Sequence, residues 1–223
     1  MKCYRCGEWD GEKCQCKDGQ TIFHGDCREI FPELPKVDAV ITDPPYGMNW
    51  DYSGQGSGKK TQGGKQSRFK KTRIRGDDRE FDPSWLTAFP KSVIWGMQHY
   101  PNKLMKGSVL VWVKKYPDAF GTFLSDADLA WIKGGHGVYC SPVINPASFQ
   151  SERMHPTQKP IELMLWCILK AKISEDETVL DPYLGSGTTL RACKDLGRRG
   201  IGIEIEEKYC EIAAGRLRQG VLL

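Results

Sequence analysis

Hydrophobic and polar positions follow two rhythms along this chain, clearest in its last third. "TVLDPYLG" (178–185) opens with an apolar run that ends on an acid, the pattern of a buried strand. "TTLRACKDLG" (188–197) repeats its apolar residues at helical spacing, and Gly197 falls where a helix end wants a left-handed residue. "RGIGIEI" then predicts a second strand and "EKYCEIAAGRL" a second helix. Just upstream, "PIELMLWCILKAKI" predicts a helix with Pro160 in its first turn, where proline is tolerated.

Earlier segments are shorter. Residues 21–26, Thr-Ile-Phe-His-Gly-Asp, predict a strand, and Cys27 to Leu34 a helix ended by Pro35. Val37 to Thr42 predicts a buried strand. "SVIWG" and "GSVLVWVKK" are strand-like, with a helix expected between them from His99 to Met105. "DLAWIKGG" and "GVYCSPVI" suggest a strand pair. From Asp51 to Asp82 the chain is polar, rich in Gly, Ser, Lys and Arg, and aperiodic, so a mobile loop is expected.

Alternating strands and helices predict an α/β fold with a doubly wound, mostly parallel sheet. Ligands of such sheets bind beyond the carboxyl ends of the strands. Asp26, Asp43, Asp181 and Glu204 all fall at predicted strand ends. Carboxylates gathered there suit a polar, partly cationic ligand together with a second substrate.

Two of these strand ends carry more. After Asp43 come Pro44, Pro45 and Tyr46. Each proline fixes φ and lacks an N–H, so the strand must stop in a rigid loop between a carboxylate and an aromatic ring. On its own this is also compatible with an ordinary proline turn. The second strand end is "LDPYLGSGTT", a glycine-rich passage from strand to helix that lets backbone N–H groups approach a ligand. It lacks a P-loop lysine and the full dinucleotide fingerprint. Glu204 ends the next strand, where a ribose diol is commonly held. A ligand with a ribose and a carboxylate fits S-adenosylmethionine; a generic nucleotide site and a structural turn fit the same spacing.

"DPPY", then "HPTQKP" (155–160), "LDPYLGSGTT" and "IGIEI", in that order, resemble the DNA amino-methyltransferases of the N6-adenine and N4-cytosine type. The resemblance runs from about residue 21 to 217, and tetrad before glycine loop is the order of the β group. It implies a Rossmann-like S-adenosylmethionine-dependent methyltransferase fold, circularly permuted, with "TIFHGD" supplying the strand that unpermuted relatives place later. It also implies roles. Asp43 and the Pro44 carbonyl accept hydrogen bonds from a base amine, Pro45 stiffens the loop, and Tyr46 stacks on the flipped base. The cofactor is held by Asp181, Tyr183, Gly185, Ser186, Gly187, Thr188 and Glu204. Asp26 reads its adenine amine, Thr157 and Lys159 contact its methionine end, and Asp43 lies near the sulfonium. His155 is assigned a structural role. An aspartate at position 43 leans toward adenine N6, where a serine would lean toward cytosine N4.

Composition adds little until its distribution is considered. The 223 residues have a net charge of +4, with 39% hydrophobic and 27% charged residues, as in ordinary globular proteins. No apolar run resembles a signal peptide or reaches the roughly 18 residues of a membrane span, so a soluble, cytoplasmic protein is expected; a bacterial or phage origin is what the family resemblance implies. Eight lysines and arginines crowd between Ser53 and Gly76 with no acid among them. They predict a DNA phosphate-binding flap, or else a solvated charge run. Residues 134–154 are the candidate target-recognition segment. A monomer or homodimer is expected. A non-catalytic DNA-binding module is the competing class, argued against by the intact tetrad and glycine loop.

Nine cysteines is an odd number and argues against a disulfide framework. Cys27, Cys140, Cys167, Cys193 and Cys210 are scattered and expected to be buried hydrophobes. Cys3, Cys6, Cys14 and Cys16 crowd within residues 1–20, where a zinc knuckle is expected before a methyltransferase domain of 21–223. Its short Cys-x-Cys half is unusual, and the family resemblance does not extend to it.

Overall fold

The structure is a computed structural model that describes residues 1–11, 13–49, 74–122, 125–143, 154 and 158–220. In chain order the strands are β1 (Gln20–His24), β2 (Ala39–Thr42), β3 (Lys91–Trp95), β4 (Gly107–Val113), β5 (Ala127–Cys140), β6 (Thr178–Asp181) and β7 (Arg199–Glu204). The helices are α1 (Cys27–Ile30), α2 (Ser84–Thr87), α3 (Ile161–Lys170), α4 (Thr188–Asp195) and α5 (Glu207–Arg218). The seven strands form one sheet in the order β1-β7-β6-β2-β3-β5-β4. The first five in that order are parallel, whereas β5 runs antiparallel to both β3 and β4.

Period-two alternation divides the apolar residues between the two faces of the sheet. Ile41, Val93 and Val179 pack with Leu163, Cys167 and Ile168 of α3. Their neighbours Val40, Ile94 and Leu180 point the other way, onto Phe81, Leu86 and Phe89. Ile22 and Leu184 close a third cluster with Leu190 of α4 and Ala213 and Leu217 of α5. Strands buried on both faces leave only their ends free for polar work. The strand order reverses between β6 and β2, so a crevice opens beyond their carboxyl ends.

Several local expectations are revised. His99–Met105 is not a helix: Met97–His99 and Pro101–Lys103 are separate 3-10 turns, because Pro101 interrupts the segment. α1 is a single turn continued by a 3-10 turn at Phe31–Glu33, which again carries a proline. The suspected strand pair is one long β5 that bends at Gly134 (φ 84°) and Gly135 (φ 68°). Beyond the bend, Val138, Tyr139 and Cys140 are level with Val109, Leu110 and Val111, which also pair with the first half of β5. Residues 134–140 of the candidate recognition segment are therefore sheet, and 144–153 lie outside the described residues. Cys27, Cys167, Cys193 and Cys210 are buried, but Cys140, the last residue of β5, is exposed. Most of the basic segment, 50–73, also lies outside the described residues. Its final stretch is pinned: Asp77 is buried and accepts from the Gly47 N–H (2.9 Å) and the Met48 N–H (3.2 Å).

Candidate functional site

One cavity of about 1300 Å³ opens at the carboxyl edge of the sheet. Its lining includes Asp26, Asp43, Tyr46, Lys159, Asp181 and Glu204, so a single hollow gathers residues more than 170 positions apart. Pro44, Pro45, Tyr183, Gly185, Ser186 and Thr188 line it too. Thr157 and His155 lie outside the described residues.

The glycine-loop half is built from β6 and β7. Asp181 ends β6 and is buried; its carboxylate accepts from the Thr42 hydroxyl (2.7 Å) and the Tyr183 N–H (3.2 Å). Burial pushes its pKa up to about 6. Glu204 ends β7 and closes the loop from the side, accepting from the Gly185 N–H (2.8 Å) and the Glu206 N–H (2.8 Å). Burial raises its pKa as well. The buried Ser186 hydroxyl donates to Gln158 (3.0 Å), and the buried Arg216 guanidinium donates to the Ser186 carbonyl (2.8 Å). This fixes the loop before any ligand arrives.

Gly187 does not line the cavity. It precedes α4 with φ 81°, and a Cβ there would stand 2.6 Å from the Ala213 Cβ. Its glycine serves the packing of α4 on α5. Asp26 lines the rim, where its carboxylate caps α1 by accepting from the Arg28 N–H (2.9 Å) and pairs with the Arg28 guanidinium. Arg28 holds its pKa down at about 2.

The tetrad half is built from β2 and its neighbours. The Tyr46 hydroxyl donates to one oxygen of Asp43, and Lys159 holds the other at 2.8 Å. Lys159 is also 3.4 Å from Asp128, which in turn takes Lys114 at 2.7 Å. Burial works against the Lys159 ammonium, but Asp43 and Asp128 outweigh it and hold its pKa above the ordinary value. Burial likewise opposes ionisation of Asp128, and Lys159 and Lys114 prevail, lowering its pKa. The Tyr46 ring stacks on His99, centroids 4.7 Å apart and planes 17° apart. Gly96, left-handed at φ 81°, makes room for that ring, since a Cβ there would lie 2.1 Å from a Tyr46 ring carbon.

His99, Asp128, Lys114 and Gln158 were not foreseen from the sequence. The signal for Asp128 is topological. An antiparallel strand begins at the edge where its parallel neighbours end, so the acid opening "DLAWIKGG" lands among their carboxyl ends.

An open sheet with one antiparallel strand, a glycine loop closed by an acid and a rigid tetrad at the switch point define the fold of the S-adenosylmethionine-dependent methyltransferases. The family described as DNA methylase, of the N6/N4 type, matches residues 60–215, and the chain belongs to it. Over 66 residues it is 50% identical to the type II methyltransferase M2.LlaDCHI of Lactococcus lactis subsp. cremoris, a match covering 30% of this chain and 24% of that protein. Over 63 residues it is 52% identical to M2.DpnII of Streptococcus pneumoniae, covering 28% and 23%. Both matches thus span about a quarter of those relatives. The crystal structure of the M1.HpyAVI–SAM complex superposes with a TM-score of 0.57 at 25% identity, covering 88% of this chain and 99% of that one. The cytosine-N4-specific PvuII DNA methyltransferase does so at 0.61 with 15% identity, covering 97% and 92%. That likeness is one of fold.

Proposed function

We propose that this protein transfers a methyl group from S-adenosylmethionine to the N6 amine of an adenine flipped out of DNA. The carrying observation is that Asp43 and Tyr46 share one cavity with Asp181, Glu204 and the glycine loop. A sulfonium cofactor fits a hollow rimmed by carboxylates, and the solved M1.HpyAVI relative is a complex with SAM. In this reading Glu204 faces the ribose and Asp26 the adenine, the latter requiring Arg28 to yield an oxygen. Lys159 lines the same cavity and, beside the cofactor contact the family resemblance implied, grips Asp43 and so orients the acceptor.

An exocyclic amine is a poor nucleophile because its lone pair is delocalised into the ring. Asp43 and the Pro44 carbonyl accept its two hydrogens and concentrate electron density on nitrogen. With S-adenosylmethionine bound, nitrogen would attack the sulfonium methyl directly: the N–C bond forms as the C–S bond breaks, its electron pair leaves on the thioether sulfur, and the surplus amine proton passes to solvent. Acceptors already fixed by Lys159 and the prolines need no reorganisation as charge develops. In this scheme residues 134–154 read the DNA, and the lysines and arginines between Ser53 and Gly76 contact its phosphates. The four N-terminal cysteines hold one structural zinc ion.

The test is transfer of labelled methyl groups to DNA, followed by digestion to nucleosides. N6-methyl-2′-deoxyadenosine is expected. N4-methylcytosine alone overturns the choice of base, and absence of transfer despite cofactor binding supports a binding module.

A further inference from the structure

The N-terminal cysteines lie apart from the cavity, yet they are joined to it by a short chain of contacts. The four Sγ atoms are all within 4.8 Å of one another, and Cys3 and Cys16 are 3.9 Å apart. Four thiolates each about 2.3 Å from a tetrahedral zinc ion lie about 3.8 Å from one another. The cluster therefore has nearly the spacing of a loaded site, and its members form no disulfide. Gly7 (φ 80°) supports the first turn, where its N–H donates to the Cys3 carbonyl (2.8 Å).

The cluster sits on β1, a strand whose only sheet neighbour among the described residues is β7. An edge strand exposes unpaired backbone groups unless something covers them. Here the Tyr4 N–H donates to the Ile22 carbonyl (2.7 Å). Arg5 donates to the Gln20 carbonyl (2.8 Å) and pairs with both oxygens of Asp18 (2.6 and 2.8 Å). Trp9 meets Phe23 edge-on at 5.0 Å. Most directly, the Thr21 hydroxyl donates to the Cys14 sulfur (3.1 Å), which joins a ligand atom to the strand itself.

β1 leads straight to the cavity rim. Immediately after it, the Gly25 N–H donates to the Glu204 carbonyl (2.9 Å), and Asp26 follows. Glu204 in turn holds the Gly185 N–H of the glycine loop. The cysteine cluster, β1, Glu204 and the glycine loop are thus linked in series by hydrogen bonds.

We propose that zinc at Cys3, Cys6, Cys14 and Cys16 clamps edge strand β1, and that its occupancy sets the affinity of the adjoining cavity for its nucleoside cofactor. This rests on the zinc and S-adenosylmethionine assignments above and adds a coupling between them. By linkage that coupling is reciprocal: whatever zinc does for the cofactor, the cofactor does for zinc.

The experiment uses the full chain, zinc-loaded and then stripped with a chelator. One zinc per chain is expected on release with a thiol reagent. Stripping should lower S-adenosylmethionine affinity by about 5- to 150-fold, the usual range for coupled sites. It should also deprotect the amides of residues 20–25 in hydrogen exchange while those of β2 and β3 stay protected. Readdition of zinc should restore both. Thr21→Val keeps all four thiolates and should weaken zinc binding by about 10- to 100-fold. A stripped chain with unchanged cofactor affinity and unchanged β1 protection overturns the clamp. Failure to bind zinc at all overturns the metal assignment and leaves methyl transfer standing. A zinc-loaded chain that never binds S-adenosylmethionine overturns the cofactor assignment, while β1 protection still judges the clamp.

Discussion

The Lys159 ammonium lies 2.8 Å from the Asp43 carboxylate, joining two motifs that stand 116 residues apart in sequence. It is 6% exposed and also serves Asp128. Removing this buried cation from between two half-buried carboxylates leaves uncompensated charge, at a cost of up to about 3–5 kcal/mol. Lys159→Met should therefore unfold at markedly lower denaturant, and adding Asp43→Asn should recover part of the loss. A single variant as stable as wild type would show that this pair contributes no net stability.

Asp43→Ala tests the chemistry. It removes the proposed acceptor for the target amine, and loss of one such preorganised partner typically costs about 10²–10³ in rate. Cofactor affinity should persist, because Asp181, Glu204 and the glycine loop keep their own hydrogen bonds. Near-normal single-turnover transfer would remove Asp43 from the mechanism.

His99 covers one face of Tyr46, the ring on which the proposed function stacks a flipped base. An aromatic pair contributes about 0.5–1.5 kcal/mol beyond its buried area, so displacing His99 opposes base capture by up to about tenfold. His99→Ala should accordingly tighten binding of DNA carrying 2-aminopurine at the target position, with brighter emission from the unstacked base. Weaker binding and dimmer emission would mean that His99 itself holds the base.

Much of this arrangement was legible beforehand, because strands buried on both faces and amphipathic helices carry strong periodic signals. β6, α4, β7 and α5 follow the sequence pattern closely, and Gly197 is left-handed at φ 70°. The carboxylates Asp43, Asp181 and Glu204 were legible because each ends a parallel strand. Asp128 was hidden because it begins an antiparallel one. His99 was hidden because two consecutive 3-10 turns have no helical periodicity. Asp77 was submerged in a polar stretch whose composition conceals one buried acid. Gly187 was read as a ligand contact because motif spacing does not distinguish close approach to a ligand from close approach of a neighbouring helix.

Gly187→Ala separates those two meanings. Its φ of 81° disfavours any side chain, and the new Cβ would meet both the Cβ and the Cα of Ala213. Alanine forced into an incompatible backbone destabilises by more than about 1 kcal/mol. A clear fall in melting temperature is expected, and cutting back its neighbour by Ala213→Gly should recover part of it. A variant of unchanged stability that binds cofactor poorly would return Gly187 to the ligand.

Asp181 gives the protein a pH signature whose sign can be worked out. Burial raises its folded-state pKa from an ordinary 3.8 to about 6, more than the hydrogen bonds from Thr189, Thr42 and the Tyr183 N–H lower it. Below pH 4 both folded and unfolded chains hold this proton, and the group leaves stability unchanged. As pH rises from 4 to 6 the unfolded chain releases its proton first, so the folded state binds more protons and loses stability. Above pH 6 both states are ionised and the penalty is constant. Asp181→Asn cannot titrate, so the stability of wild type relative to this variant should fall between pH 4 and 6 and then level off. S-adenosylmethionine brings positive charge into the same cavity and favours the carboxylate. Its affinity for wild type should rise with pH over that window and level off above it, while the variant's affinity stays flat. Parallel stability curves for the two proteins would show that Asp181 titrates normally in the folded chain. A cofactor affinity that falls toward pH 6 would show that the bound ligand prefers the protonated acid.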